Sequence, residues 1–208
     1  MIDDGRLGPL ISTEAIFVTS SVAVRDPANL IFNKEAMGGG VLHWLGVHDL
    51  DLLLWLTGDP IVEVQAMAGT VGADVAVENV LSMGVRHRSG AIGTVHYAYA
   101  LPRTGGEGYL ALRGAKGSVR IQPDGTLAWI GPGSPGEPLL TQTNAYQNRT
   151  APGYGAAGGA IIDDLLRAID EDRQPLANGD AAIAALRVID AAYRSAAEGR
   201  RVRVDGTE

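Results

Sequence analysis

The sequence predicts an α+β fold: a large, mostly antiparallel open β-sheet with helices packed on one face, in a single domain over residues 1–208. Three observations predict it. From Ile61 to Ile130 apolar residues alternate with a period of two, the signature of half-buried strands. The turns between these runs are too short for a crossover, so neighbouring strands are antiparallel. Helical periodicity is confined to the flanks, at Val41 to Leu56, Ala160 to Asp172 and Asp180 to Glu198.

In chain order, Ile2-Asp3-Asp4-Gly5 reads as the last turn of a helix closed by glycine, which predicts a neighbouring unit upstream. β-Branched residues dominate from Leu10 to Val24, a long strand ended by Arg25-Asp26-Pro27. Residues 28–40 form a loop that finishes in Gly38-Gly39-Gly40. The helix that follows stops at Thr57-Gly58-Asp59-Pro60, where glycine supplies a left-handed cap and proline forbids continuation. Five or six short strands come next, carrying Val62, Val64 and Ala66; Val80, Ser82 and Gly84; Ile92, Thr94, His96 and Ala98; Tyr109, Ala111 and Arg113; Val119 and Ile121; Leu127 and Trp129.

Turns at Arg88-Ser89-Gly90, Gly114-Ala115-Lys116-Gly117 and Asp124-Gly125 join them into a meander. Apolar and aromatic residues at Ala91/Ile92, Tyr97/Tyr99 and Leu110/Leu112 predict a sheet covered by helices on one side and by a second subunit on the other, a homo-oligomer. The glycine- and proline-rich residues 131–158, with Asn144, Tyr146, Gln147 and Asn148, read as a flexible loop or flap. Two amphipathic helices follow, with Ile161, Leu165 and Ile169 on one and Ile183, Leu186, Ile189 and Tyr193 on the other. Asn178 caps the second and Gly199 ends it, before a last strand at Arg201-Val202-Arg203-Val204.

Composition narrows the function. A net charge of −7, with 17 cations among 24 acids, argues against a nucleic-acid partner. The absence of cysteine excludes disulfides, thiolate catalysis and cysteine-held metals. The start of the chain has no cationic and apolar leader, and the helix with His43, His48, Asp49 and Asp51 is too short and polar to span a bilayer, so a cytoplasmic protein without a membrane partner is expected.

The site-like segment is the triglycine and its helix. Gly39 and Gly40 open a place where backbone or ligand can approach closely. In an ideal helix Trp44 and His48 stand one above the other and Asp51 continues that face. An imidazole titrates near neutrality and suits proton exchange with an alcohol, which makes His48 the candidate catalytic residue. Trp44, Asp51, Lys34, Gly39 and Gly40 are the candidate substrate contacts. His43 and His48 are five apart and point in different directions, so no metal site is expected. Gly153-Tyr154-Gly155-Ala156-Ala157-Gly158 has dinucleotide-fingerprint spacing but no strand before it, and is read as a hinge, leaving no cofactor-binding residues here.

The order Asp4-Gly5-Arg6-Leu7-Gly8-Pro9, Gly38-Gly39-Gly40 through His48 and Asp51 to Leu56-Thr57-Gly58, Ile92-Gly93-Thr94, Gly114-Ala115-Lys116-Gly117-Ser118 and Ser195-Ala196-Ala197-Glu198-Gly199-Arg200-Arg201-Val202 resembles the second half of Gfo/Idh/MocA oxidoreductases. The resemblance implies a substrate-binding and oligomerisation domain acting on a sugar, polyol or related alcohol. NAD or NADP would be bound by an amino-terminal Rossmann domain absent from this chain, which alone would bind no cofactor and transfer no hydride. It places the family's catalytic histidine at His48. Trp44 stands where the family commonly carries an aspartate, and an indole cannot accept the imidazole proton. The alternative is a non-catalytic small-molecule-binding or dimerisation module derived from the family.

Overall fold

The computed structural model of the chain describes residues 4–123, 125–131, 140–143 and 155–206. Its frame is one sheet with nine strands among the described residues, in the order β8-β7-β6-β5-β1-β4-β3-β2-β9. These are β1 (Leu10–Thr19), β2 (Ile61–Gly69), β3 (Val80–His87), β4 (Ile92–Tyr99), β5 (Gly106–Gly114), β6 (Ser118–Ile121), β7 (Thr126–Ile130), β8 (Leu140–Thr143) and β9 (Val202–Arg203). The expected antiparallel sheet is present, with six strands between Ile61 and Ile130.

Its topology corrects the simple meander. β1 lies between β4 and β5, parallel to β4 and antiparallel to β5. The two hairpin systems are therefore halves of one sheet joined through the first strand, which local turn signals cannot show. β1 also ends at Thr19 rather than Val24, and Ser21–Val24 turn into a single helical turn, α1. Within residues 131–158, β8 adds a strand against β7, and α4 (Gly155–Asp170) begins five residues before the expected Ala160. Asn144, Tyr146, Gln147, Asn148, Gly153 and Tyr154 lie outside the described residues, as do Ile2 and Asp3.

One face of the sheet builds the core. Strand pairing puts Ala15, Val95, Met83 and Ala66 side by side in the interior, all at most 6% exposed. Two helices close over this half: α3 (Val47–Thr57) packs on β1 and on α5 (Gly179–Glu198), and α5 packs on β2. The predicted caps are formed. Asn178 accepts the Ala181 N–H at 3.0 Å, and Gly58 and Gly199 are left-handed at φ 57° and 65°.

Tyr97, Tyr99, Leu110 and Leu112 are all buried on the helix-bearing side, so they mark one covered face and not two. The opposite face carries polar pairs: Glu14 with Arg113 at 2.8 Å, Ser82 with His96 at 2.6 Å, and the Arg120 guanidinium 3.6 Å over the Tyr109 ring. Met67 and Ile92 stand exposed on it. α4 buries Ala168 but leaves Ile161, Leu165 and Ile169 exposed, because no described element covers that stripe.

Candidate functional site

The helix bearing His48 begins at a knot of hydrogen bonds. Glu78, in the loop before β3, takes the Gly40 N–H at 2.8 Å and the Leu42 N–H at 3.3 Å, and the Tyr193 hydroxyl of α5 donates to it at 2.7 Å. A carboxylate here satisfies N–H groups that a helix start leaves unpaired and sits at the positive end of the helix dipole. Burial, and then the charge of Glu78, push the Tyr193 phenol far above its ordinary range, so it stays a donor. The glycines are required by this packing. A Cβ at Gly39 would lie 2.1 Å from the Tyr193 hydroxyl, and one at Gly40 would lie 2.1 Å from the Glu78 carbonyl oxygen. Gly39 and Gly40 are buried, and the close approach the sequence predicts there is made by the protein itself.

The next turn departs from α-helical geometry. Residues Leu42–Gly46 form a π-turn in which the Val47 N–H reaches back to the Leu42 carbonyl. The wider turn alters the ideal-helix angle between Trp44, which lies within it, and His48, which follows it, whereas His48 and Asp51 both lie in the regular helix α3 and keep their ordinary spacing. π-Turns of this kind recur at functional sites. At the start of the regular helix that follows stand His48 and Asp49.

Both line a cavity of about 290 Å³ between α3, β1, β5 and the end of β6. It exists because the helices cover only the β1 side of the sheet and leave β5 and β6 bare beside them. Its walls are largely apolar, from Phe17, Leu45, Leu52, Leu110 and Ile121, and Gln122 adds a polar group at the β6 end. A small, mostly apolar hollow with a few convergent polar groups is the usual form of a small-molecule site. His48 is exposed and Asp49 half-buried.

Asp49 is held from the sheet. The buried Tyr97 hydroxyl of β4 donates a short hydrogen bond to Asp49 Oδ2. Burial raises the Asp49 carboxyl above its ordinary value, against the opposing pull of the Tyr97 hydrogen bond and the His48 charge. Tyr97 is pushed far upward by its own burial and by that carboxylate. A Cβ at Gly46 would sit 2.6 Å from Leu42 Cδ1 of the same helical segment and in ordinary contact, 3.4 Å, with Tyr97 Cδ2.

Lys34, Gly39, Gly40, Trp44 and Asp51 are not among the residues lining the cavity. Lys34 and Asp51 are exposed, and Trp44 keeps 38% of its surface in solvent. Asp49 and Tyr97 were not singled out by sequence reasoning as a site. Asp49 adjoins His48 in the chain, but an ideal helix turns consecutive residues about 100° apart. His96, on the other face of β4 from Tyr97, bonds Ser82 instead. Among the described residues no three potential ligands cluster to hold a metal ion.

A nucleotide cradle does not fit the described residues. The one parallel strand pair, β1 and β4, is separated by the α3 helix and two antiparallel strands, with no glycine-rich strand-to-helix turn between.

A family model, the GFO/IDH/MocA C-terminal domain, matches residues 1–120. The chain belongs to the Gfo/Idh/MocA family. Inositol 2-dehydrogenase of Rhizobium meliloti (strain 1021) is 27% identical over 219 residues, which cover 98% of this chain and 59% of that protein. The aldose-aldose oxidoreductase of Caulobacter crescentus, solved with glycerol, superposes with a TM-score of 0.78 at 28% identity, over 97% of this chain and 58% of its own. Levoglucosan dehydrogenase, solved with NADH and levoglucosan, shares the fold with a TM-score of 0.82 at 22% identity, over 98% and 61% of the two chains. This Gfo/Idh/MocA chain thus spans about three fifths of the relatives it matches. No helix among its described residues is long and apolar enough to cross a membrane.

Proposed function

We propose that this Gfo/Idh/MocA domain binds the substrate of a cytoplasmic NAD(P)-dependent oxidoreductase acting on a sugar, polyol or related alcohol. The carrying observation is that His48 opens onto a cavity of small-molecule size beside a fixed carboxylate. The nicotinamide, which would take up or deliver hydride, is assigned to polypeptide outside these residues, so the chain alone is expected to be inactive in hydride transfer. Two observations support that assignment: the share of its relatives that the chain spans, and the aliphatic stripe that α4 leaves uncovered.

His48 then exchanges a proton with the substrate hydroxyl. In the oxidation direction its neutral ring nitrogen accepts the O–H proton while the carbon–oxygen bond becomes a carbonyl; in reduction the imidazolium returns it. Trp44 cannot take part, because an indole nitrogen only donates. The open face of the sheet, with Met67 and Ile92 exposed, is proposed as the surface of a homo-oligomer, which light scattering would check.

The test is to express the chain together with its upstream coding sequence and assay nicotinamide-dependent oxidation of a polyol panel. His48→Ala is expected to lower kcat by about 10²–10⁴-fold, the usual contribution of general acid–base catalysis. A second reading is favoured by Trp44 alone: a binding or dimerisation module that has lost the chemistry. Polyol binding without any nicotinamide binding by the longer protein would establish that reading instead.

A further inference from the structure

We propose that Asp49, fixed by Tyr97, is the ligand-recognising carboxylate of the His48 cavity, and that it selects neutral polyols with adjacent hydroxyls over sugars that carry an acid group. The inference rests on the polyol reading above and adds a residue and a selectivity to it. Tyr97 is completely buried, and its hydroxyl has Asp49 Oδ2 as its hydrogen-bond partner. That bond immobilises one carboxylate oxygen. Among the described residues no other hydrogen bond reaches Asp49, a residue that lines the cavity, so Oδ1 is left as an acceptor.

His48 and Asp49 therefore present two proton-accepting groups from consecutive residues to one small volume. A vicinal diol matches this pair, with the reacting hydroxyl on the imidazole and its neighbour donating to Oδ1. Hydrogen bonds from a hydroxyl to a carboxylate are the strong, short kind. A site built to receive a hydroxyl also discriminates sharply against a ligand that lacks it, because the polar group is then left unpaired. An acidic sugar meets a different obstacle. No lysine or arginine lines the cavity among the described residues, so a ligand carboxylate would face Asp49 with only His48 to offset it.

The test is ligand-observed NMR on the 208-residue chain, which reads weak binding directly, with myo-inositol, levoglucosan and glucuronate as probes against the native chain, Asp49→Asn, Tyr97→Phe and His48→Ala. Circular dichroism melting of each variant checks folding. The native chain is expected to bind inositol at least tenfold more tightly than glucuronate. Asp49→Asn should weaken inositol binding at least tenfold and narrow the gap to glucuronate, and Tyr97→Phe should weaken inositol binding several-fold. Native-like inositol affinity in Asp49→Asn, or glucuronate bound as tightly as inositol by the native chain, overturns the inference. Inositol binding that depends on His48 but not on Asp49 removes this inference alone, whereas a native chain that binds none of the probes removes the polyol reading together with it.

Discussion

At its first turn the His48 helix is closed by the protein, and a turn and a half later it is open. Around Gly40, Glu78 and Tyr193 fill the space that the missing side chains leave, and the Gly40 and Leu42 N–H groups and the Tyr193 hydroxyl all find the Glu78 carboxylate. Around His48 and Asp49, the sheet beside the helix is uncovered and a carboxylate oxygen is left without one. The difference teaches that a glycine cluster marks a close approach without saying what approaches. Here it is an α5 tyrosine and a loop carboxylate, and they fix the start of the helix so that its later residues can face a hollow.

Crowding the closed end should have the largest effect. Gly40→Ala forces a Cβ against the Glu78 backbone, and overpacking of that kind is expected to cost about 3 kcal/mol, read from the denaturation midpoint. A variant that unfolds with the native midpoint would show that the approach is loose. Glu78→Gln keeps the shape but removes the charge that accepts two N–H groups and a hydroxyl; about 1–2 kcal/mol should be lost. Tyr193→Phe, tested in the same way, isolates the α5 part of that sum.

The open end should respond with the opposite sign. Because the folded-state pKa of Asp49 is raised, the folded chain binds this proton more tightly than the unfolded one, and stability falls as pH rises through that value. Asp49→Asn can still accept from Tyr97 and carries no charge to desolvate. It should gain about 0.5–1 kcal/mol at neutral and alkaline pH, with the gain vanishing as acid protonates the native carboxyl. Melting curves across pH check this, and a gain that grows toward low pH would reverse the assignment. The smallest effect is expected at Asp51: exposed and off the cavity, Asp51→Asn should change stability by less than about 0.5 kcal/mol and leave polyol binding unaltered.

Much of the frame was legible from local signals. Alternation at Val80 to Gly84 and Ile92 to Ala98, the Gly58 and Gly199 caps and the Asn178 cap are decided by residues close in sequence, and each formed where expected. The place of β1 was not legible, because its partners are more than seventy residues away and no turn records them. The site was half legible. His48 stood out by its chemistry, while Asp49 is marked by its contact with Tyr97, a strand residue 48 positions away that no local signal in the sequence records.

The sequence by itself determined the α+β class and the family resemblance and singled out His48 as a candidate, since these rest on periodicity, capping and residue type within short windows. Only the tertiary structure decided which side chains share the cavity and what the glycines are for. Those depend on a tyrosine from β4, a carboxylate from the loop before β3 and a tyrosine from α5 meeting one helix, and contacts between residues so far apart in the chain leave no period in the sequence to read.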